Sequence, residues 1–179
     1  MEHIIENIDI KAIQKGDTIA FKLLFDRYYI NLCEYVFTIV KNNHAAEDIV
    51  EDVFVAIWLS RENWAPNQSV KSYIFRAAHN KAMNYLKHNK IEKKWEQYVK
   101  QRDAVNTYTE KSNHDYSELE KTIYREIEKL PPKRRNVFVL SRFYQLTNKE
   151  IAKILDVSVK TVEKHISIAL KQLYEKLYE

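Results

Sequence analysis

The amino-acid sequence predicts an all-α protein: two small helical domains joined by a flexible linker, the C-terminal one a helix-turn-helix. Three observations predict it. Apolar residues recur at the 3.6-residue period of an α-helix through most of the chain, and no stretch alternates convincingly as a strand does. Glycine occurs once in 179 residues, far below the usual ~7%, which argues against folds rich in tight hairpins. Residues 101–117 carry no sustained apolar stripe, so the domains are expected at 8–90 and 118–179 with 91–117 as the linker.

The elements follow in order. Asp17 is an N-cap for a long amphipathic helix whose apolar positions are Phe21, Leu24, Phe25, Tyr28, Leu32, Tyr35, Val36 and Ile39, with Cys33 a small packing residue. After Asn42-Asn43, a second helix carries Ile49, Val50, Val53, Phe54, Ile57 and Trp58 on one stripe. The segment NWAPNQS reads as a loop. Ser69 caps a third helix, roughly 70–89, packed through Val70, Tyr73, Ile74, Ala77, Ala78 and Leu86. IEKKWEQYVK can extend it, whereas QRDAVNTYTEKSNHDYS is polar and irregular. Ile123, Ile127 and Leu130 give a short helix that stops before Pro131-Pro132. Pro132 opens the next helix, with Val137, Phe138, Leu140 and Phe143.

The C-terminal segment Leu146–Ile166 is the strongest motif. Thr147 and Glu150 form a capping box ahead of Ile151, Ala152 and Leu155. Asp156-Val157-Ser158 is a short turn in which Val157 is expected to plug the angle between the helices. Ser158 caps the second helix, with Val162, Ile166, Leu170 and Leu173 expected inward. That spacing lets the second helix enter a DNA major groove. Lys160, Thr161, Glu163, Lys164 and Ser167, with Lys149 on the preceding helix, are the expected DNA-facing residues. Lys suits guanine acceptors or phosphate, Glu the cytosine amino group, and Thr and Ser are versatile. Lys133-Arg134-Arg135 would add phosphate contacts. The alternative is a helical hairpin with a solvated face.

Charge supports two basic modules. Residues 1–70 carry 11 acids against 6 bases, residues 71–100 carry 8 bases against 2 acids, and residues 119–179 carry 13 bases against 8 acids. Clustered cations are the footprint of nucleic-acid binding, or else a solvated helix face. On the third helix Arg76, Asn80, Asn84 and Lys87 share one face, offering amides to base edges and cations to phosphate. Trp64 and Tyr73 would stack on bases, and Pro66-Asn67-Gln68 would surround a flipped base, unless the aromatics are core and the Asn residues merely exposed. Glu47, Asp48, Glu51 and Asp52 crowd two turns of the second helix, which repels DNA and suits a basic protein partner, or simply a soluble surface.

Several function classes are excluded. Gly16 alone cannot form a phosphate-binding glycine loop. Lone Cys33 rules out an intramolecular disulfide and a Cys-rich zinc site. The six histidines are scattered, with no H-E-x-x-H and no nucleophile elbow, so no catalytic, metal or cofactor residues are expected. The N-terminus is acidic and amphipathic, unlike a secretory signal. No run approaches the ~20 apolar residues of a membrane span, so a cytoplasmic location without direct membrane insertion is expected.

Taken in order, AAEDIVEDVFVAIW, SVKSYIFRAAHNKAMNYLKHNK and LPPKRRNVFVLSRFYQLTNKEIAKILDVSVKTVEKHISIALKQL resemble the extracytoplasmic-function branch of bacterial RNA polymerase sigma factors, from about Asp17 to Leu177. The resemblance implies that the first segment docks on the polymerase core, the second captures the minus-ten strand of promoter DNA, and the third reads the minus-thirty-five element. It makes Asn80 and Asn84 the base readers, with Asn67 and Gln68 in a base-capturing loop. It also implies a membrane-anchored anti-sigma factor as partner. The Lys-, Asn- and Tyr-rich composition resembles that of the Bacteroidetes. His79 stands where the family often has Arg, and Lys87 where it commonly has Arg, which weakens bidentate readout there. At ~3.3 Å per residue the linker spans up to ~90 Å, enough for two DNA sites about 70 Å apart. Ser158-x-x-Thr161-Val162-x-x-His165 also resembles the DNA-binding end of two-component and quorum-sensing regulators, but residues 1–90 lack the strand–helix alternation of a receiver.

Overall fold

A computed structural model describes residues 8–66, 69–99 and 118–178. Every regular element among these residues is helical: α1 (Ile10–Gln14), α2 (Thr18–Val40), α3 (Asn43–Leu59), a 3-10 turn (Arg61–Asn63), α4 (Val70–Val99), α5 (Glu118–Lys129), α6 (Pro132–Arg142), α7 (Asn148–Ile154) and α8 (Val159–Tyr178). The chain divides into two compact units, residues 1–82 and 83–179.

In the first unit each helix starts where a side chain satisfies the open backbone N–H groups. Asp17 accepts from the Ile19 and Ala20 amides at 2.8 and 3.1 Å, Asn42 from Ala45 at 2.9 Å, and Ser69 from Ser72 at 3.2 Å. Helix α1 is an element the sequence reading did not assign; Asp9 caps it by accepting from the Ala12 amide at 3.0 Å. Gly16, at φ +85, turns the chain from α1 into α2, a conformation that glycine adopts freely. Helices α2 and α3 form a hairpin around Leu24, Tyr28, Leu32, Tyr35 and Val36 facing Ile49, Val50, Val53, Phe54 and Ile57, with Phe25 and Phe54 rings 4.8 Å apart.

Helix α4 buries Ser72, Ile74, Phe75, Ala78 and Ala82. Tyr73, expected inside, is 39% exposed while Phe75 is fully buried. Two residues along a helix is about 200°, so only one of these aromatics can face inward. Residues 91–99 continue α4 as helix; residues 100–117 of the expected linker lie outside the described residues.

In the second unit, α8 packs on α5, α6 and α7 around Ile127, Val137, Leu140, Tyr144, Leu146, Ile151, Ile154, Val162, Ala169 and Leu173. Three expected core residues are instead on the surface: Phe143, Val157 and Leu170, at 43, 37 and 42% exposure. The turn before α8 is closed by the backbone: Asp156 takes a left-handed φ of 52 and the Val157 amide bonds to the Ala152 carbonyl at 2.9 Å, leaving the Val157 side chain outside. Ala169 replaces Leu170 in the inward stripe, and its single methyl lets α8 approach its neighbours closely.

Candidate nucleic-acid and docking surfaces

The helix-turn-helix is built by two local devices. Thr147 and Glu150 form a reciprocal capping box at the start of α7, with Thr147 N–H donating to Glu150 Oε2 at 2.9 Å. Ser158 accepts from the Thr161 amide at 3.1 Å at the start of α8. Lys149, Lys160, Glu163, Lys164 and Ser167 are exposed, and the last four lie within about 100° on α8. Thr161 is half-buried and its hydroxyl is 2.8 Å from that of Ser158, so it closes the helix start.

The basic cluster at the start of α6 separates into different roles. Lys133 is exposed. Arg134 donates to Gln172 Oε1 at 2.6 Å. Arg135 does not reach outward: its guanidinium donates to the carbonyls of Ile127 at 3.3 Å, Leu130 at 3.1 Å and Glu128, closing the C-terminus of α5. A phosphate contact from Arg135, expected from the sequence, is therefore replaced by a structural one. His165 is half-buried, and burial, followed by the charges of Arg134, Lys133 and Lys164, pushes its pKa below the usual imidazole value; it is a neutral packing residue beside the cationic surface.

On α4, Arg76, Asn80, Asn84 and Lys87 are all exposed and lie within about 80° of one another. Tyr73 stands beside them, its ring edge-on to Trp64 at 6.0 Å. Trp64 itself is 3% exposed, its carbonyl held by Gln14 at 3.0 Å, so it supports Tyr73 and does not stack on a base. Asn67 and Gln68 lie outside the described residues.

On α3, Glu47, Asp48, Glu51 and Asp52 are exposed. Asp52 pairs with Lys81 of α4 at 2.9 Å. Tyr29 donates to Glu51 at 3.4 Å, and burial, the neighbouring Cys33 and these acids push its pKa up to about 12. Burial also raises the Cys33 thiol, which keeps it protonated and unreactive. Sequence reasoning missed Val55 and Leu59, 55 and 75% exposed. Their spacing from Asp48 and Asp52 puts all four on one stripe, a signal that apolar residues normally give for burial.

The region of α2 through α4 matches the family model for Sigma-70 region 2 over residues 24–91, and α5 through α8 match Sigma-70, region 4 over residues 120–173. Together the two models cover more than half of the chain, in the family's order. The chain belongs to the Sigma-70 family of RNA polymerase sigma factors. It is 27% identical over 176 residues to the ECF RNA polymerase sigma factor SigW of Bacillus subtilis, spanning 94% of each chain. It is 26% identical over 184 residues to the ECF RNA polymerase sigma-E factor of Escherichia coli K12, spanning 98% of this chain and 96% of the relative. Among solved structures, CnrH in complex with the cytosolic domain of CnrY shares the fold with a TM-score of 0.64 at 22% identity, covering 94% of each chain. The sigma factor RpoE in complex with the anti-sigma factor NepR, from Bartonella quintana, does so at 0.67 and 16%, covering 88% of this chain and 96% of that one. This sigma factor therefore acts in transcription initiation and is not an enzyme. The region 2 match in its N-terminal part sets aside the response-regulator reading of the C-terminal helices. Among its described residues, no helix is long and apolar enough to cross a membrane.

Proposed function

We propose that this sigma factor divides promoter recognition among three faces. The acidic-apolar face of α3 (Glu47, Asp48, Glu51 and Asp52, extended by Val55 and Leu59) docks on a basic, partly apolar surface of the polymerase core. Arg76, Asn80, Asn84 and Lys87, with Asn67 and Gln68, hold the opened minus-ten strand. Lys149, Lys160, Thr161, Glu163, Lys164 and Ser167 engage the minus-thirty-five duplex. The observation that carries the reading is the exposure of an amide-and-cation face on α4 beside the acidic face of α3. Acids repel the DNA backbone and attract a cationic protein; exposed amides can fork onto base edges once a strand is unpaired. In this reading residues 8–90 form the first functional domain, 91–117 the linker and 118–179 the second. Binding two sites through one chain raises the effective concentration of the second contact.

The relatives solved with anti-sigma factors support a membrane-anchored anti-sigma factor as regulator, with this chain in the cytoplasm. The Lys-, Asn- and Tyr-rich composition supports a Bacteroidetes-like origin. The test is run-off transcription with purified polymerase core, where start-site selection is expected and its absence refutes the reading. Reversing charge at Asp48 and Asp52 to Lys is expected to weaken core affinity at least about tenfold while leaving duplex binding by the C-terminal helices intact; equal core affinity would remove the docking face. Lys160→Ala or Glu163→Ala is expected to shift upstream-element preference by about 1–3 kcal/mol, read as altered selection from a duplex library.

A further inference from the structure

The face of α4 that would meet DNA is only as well aimed as the opposite face is held. That opposite face is bulky in its first turns, at Ile74 and Phe75, and smooth beyond them: Ala78 and Ala82 are fully buried and present one methyl each, a weak key against rotation of the helix about its axis. Tyr35 of α2 supplies what the alanines lack. Its side chain is fully buried, with its ring 5.4 Å from Phe75 and 6.2 Å from His79. Those two residues lie one turn apart on α4, so one side chain grips two successive turns. The Tyr35 hydroxyl lies 2.9 Å from His79 Nδ1, with either atom the donor according to the imidazole tautomer. His79 directly precedes Asn80.

We infer that the Tyr35–His79 hydrogen bond sets the rotation of α4 and thereby aims Asn80 and Asn84, making Tyr35 and His79 positioning residues for reading the unpaired strand. Apolar contacts tolerate sliding, whereas a hydrogen bond confines its partners to a few tenths of an ångström, and a polar pair in an apolar interface is an attested way to specify register. A side-chain tip about 6 Å from the helix axis moves about 2 Å for a 20° rotation, enough to break a bidentate contact to a base edge. Asn80 and Asn84 would then still meet the strand but lose base preference, while Arg76 and Lys87, acting through charge at longer range, would keep its affinity.

The pair also carries a proton dependence. Burial holds the His79 pKa below the usual imidazole value, so folding favours the neutral ring. The unfolded chain, with an imidazole near 6.5, binds the proton more readily. The stabilising contribution is present above about pH 6.5 and is lost as pH falls below it. The group facing His79 from α2 is Tyr35. Of the charges beside it on α4, Arg76 is exposed and Lys81 is paired with Asp52 of α3.

The inference rests on the proposed reading of α4 and can be tested separately from it. The full chain is assembled with polymerase core, and base preference is measured on a randomised single-stranded DNA library at about pH 7.5. Asn80→Ala tests the reading: retained preference means that α4 is not the reader. Given that Asn80→Ala loses preference, Tyr35→Phe is expected to lower it about tenfold, the size of one base contact, with total strand affinity nearly unchanged. His79→Asn keeps a donor or acceptor where Nδ1 stands but does not titrate. It is expected to retain preference, whereas His79→Leu, which fills the space without a polar atom, is expected to lose it as Tyr35→Phe does. Unchanged preference in Tyr35→Phe overturns the inference. If Tyr35→Phe does not fold, unchanged preference in His79→Leu overturns it instead.

Discussion

Phe75→Ala is expected to destabilise the first unit by about 3–5 kcal/mol, the usual range for deleting a buried ring and leaving its cavity. Phe75 is fully buried, and its ring lies 5.4 Å from that of Tyr35, itself fully buried. The neighbouring Ala78 and Ala82 are too small to collapse into the space. Small domains hold about 5–15 kcal/mol of stability in all, so this one substitution removes a large share of it. Denaturant unfolding followed by the fluorescence of Trp58 and Trp64 measures the loss as a lower midpoint at unchanged slope. Tyr73→Ala, two residues away and exposed, is the control and is expected to cost less than about 1 kcal/mol. A larger loss from Tyr73→Ala than from Phe75→Ala would mean that Tyr73 is the residue facing inward.

That contrast shows what the sequence could and could not reveal. Helix starts were legible because each is a contact between residues two or three apart: Asp17, Ser69, Thr147 and Ser158 all cap as expected, and Asn42, just ahead of the expected second helix, caps it too. The exposed face of Arg76, Asn80, Asn84 and Lys87 was legible for the same reason, since helical period alone aligns them. Choosing between adjacent stripes was not. Tyr73 against Phe75 and Leu170 against Ala169 are decided by what the rest of the fold presents, and hydrophobicity favours the larger residue of the second pair wrongly. Trp64 offered a stacking platform because it stands just ahead of a basic helix and every base has a face to stack on, yet it is buried against α1, an element too short to announce itself by period. The Tyr35–His79 pair joins residues 44 positions apart, and nothing in either local pattern marks it.

Arg135→Ala is expected to destabilise the second unit by about 3 kcal/mol, the upper end for hydrogen bonds to a charged group. The reason lies in how α5 ends. The last carbonyls of a helix need donors, and the following residues, Pro131 and Pro132, have no N–H to give. The Leu130 amide reaches back to the Ile127 carbonyl at 3.1 Å, and the Arg135 fork on the next helix adds a second donor there and serves the Glu128 and Leu130 carbonyls. Its positive charge also meets the negative end of the α5 dipole. Arg135→Lys is expected to recover less than half of the loss, because an ammonium offers a point charge in place of a planar fork. Salt dependence separates this role from a DNA contact. Removing a phosphate-binding lysine lowers the slope of log affinity against log salt by about one, and that is the expectation for Lys133→Ala on duplex DNA. Arg135→Ala, measured at a temperature where the unit stays folded, is expected to leave the slope unchanged while lowering the melting point. A reduced slope with an unchanged melting point would return Arg135 to the DNA-binding surface.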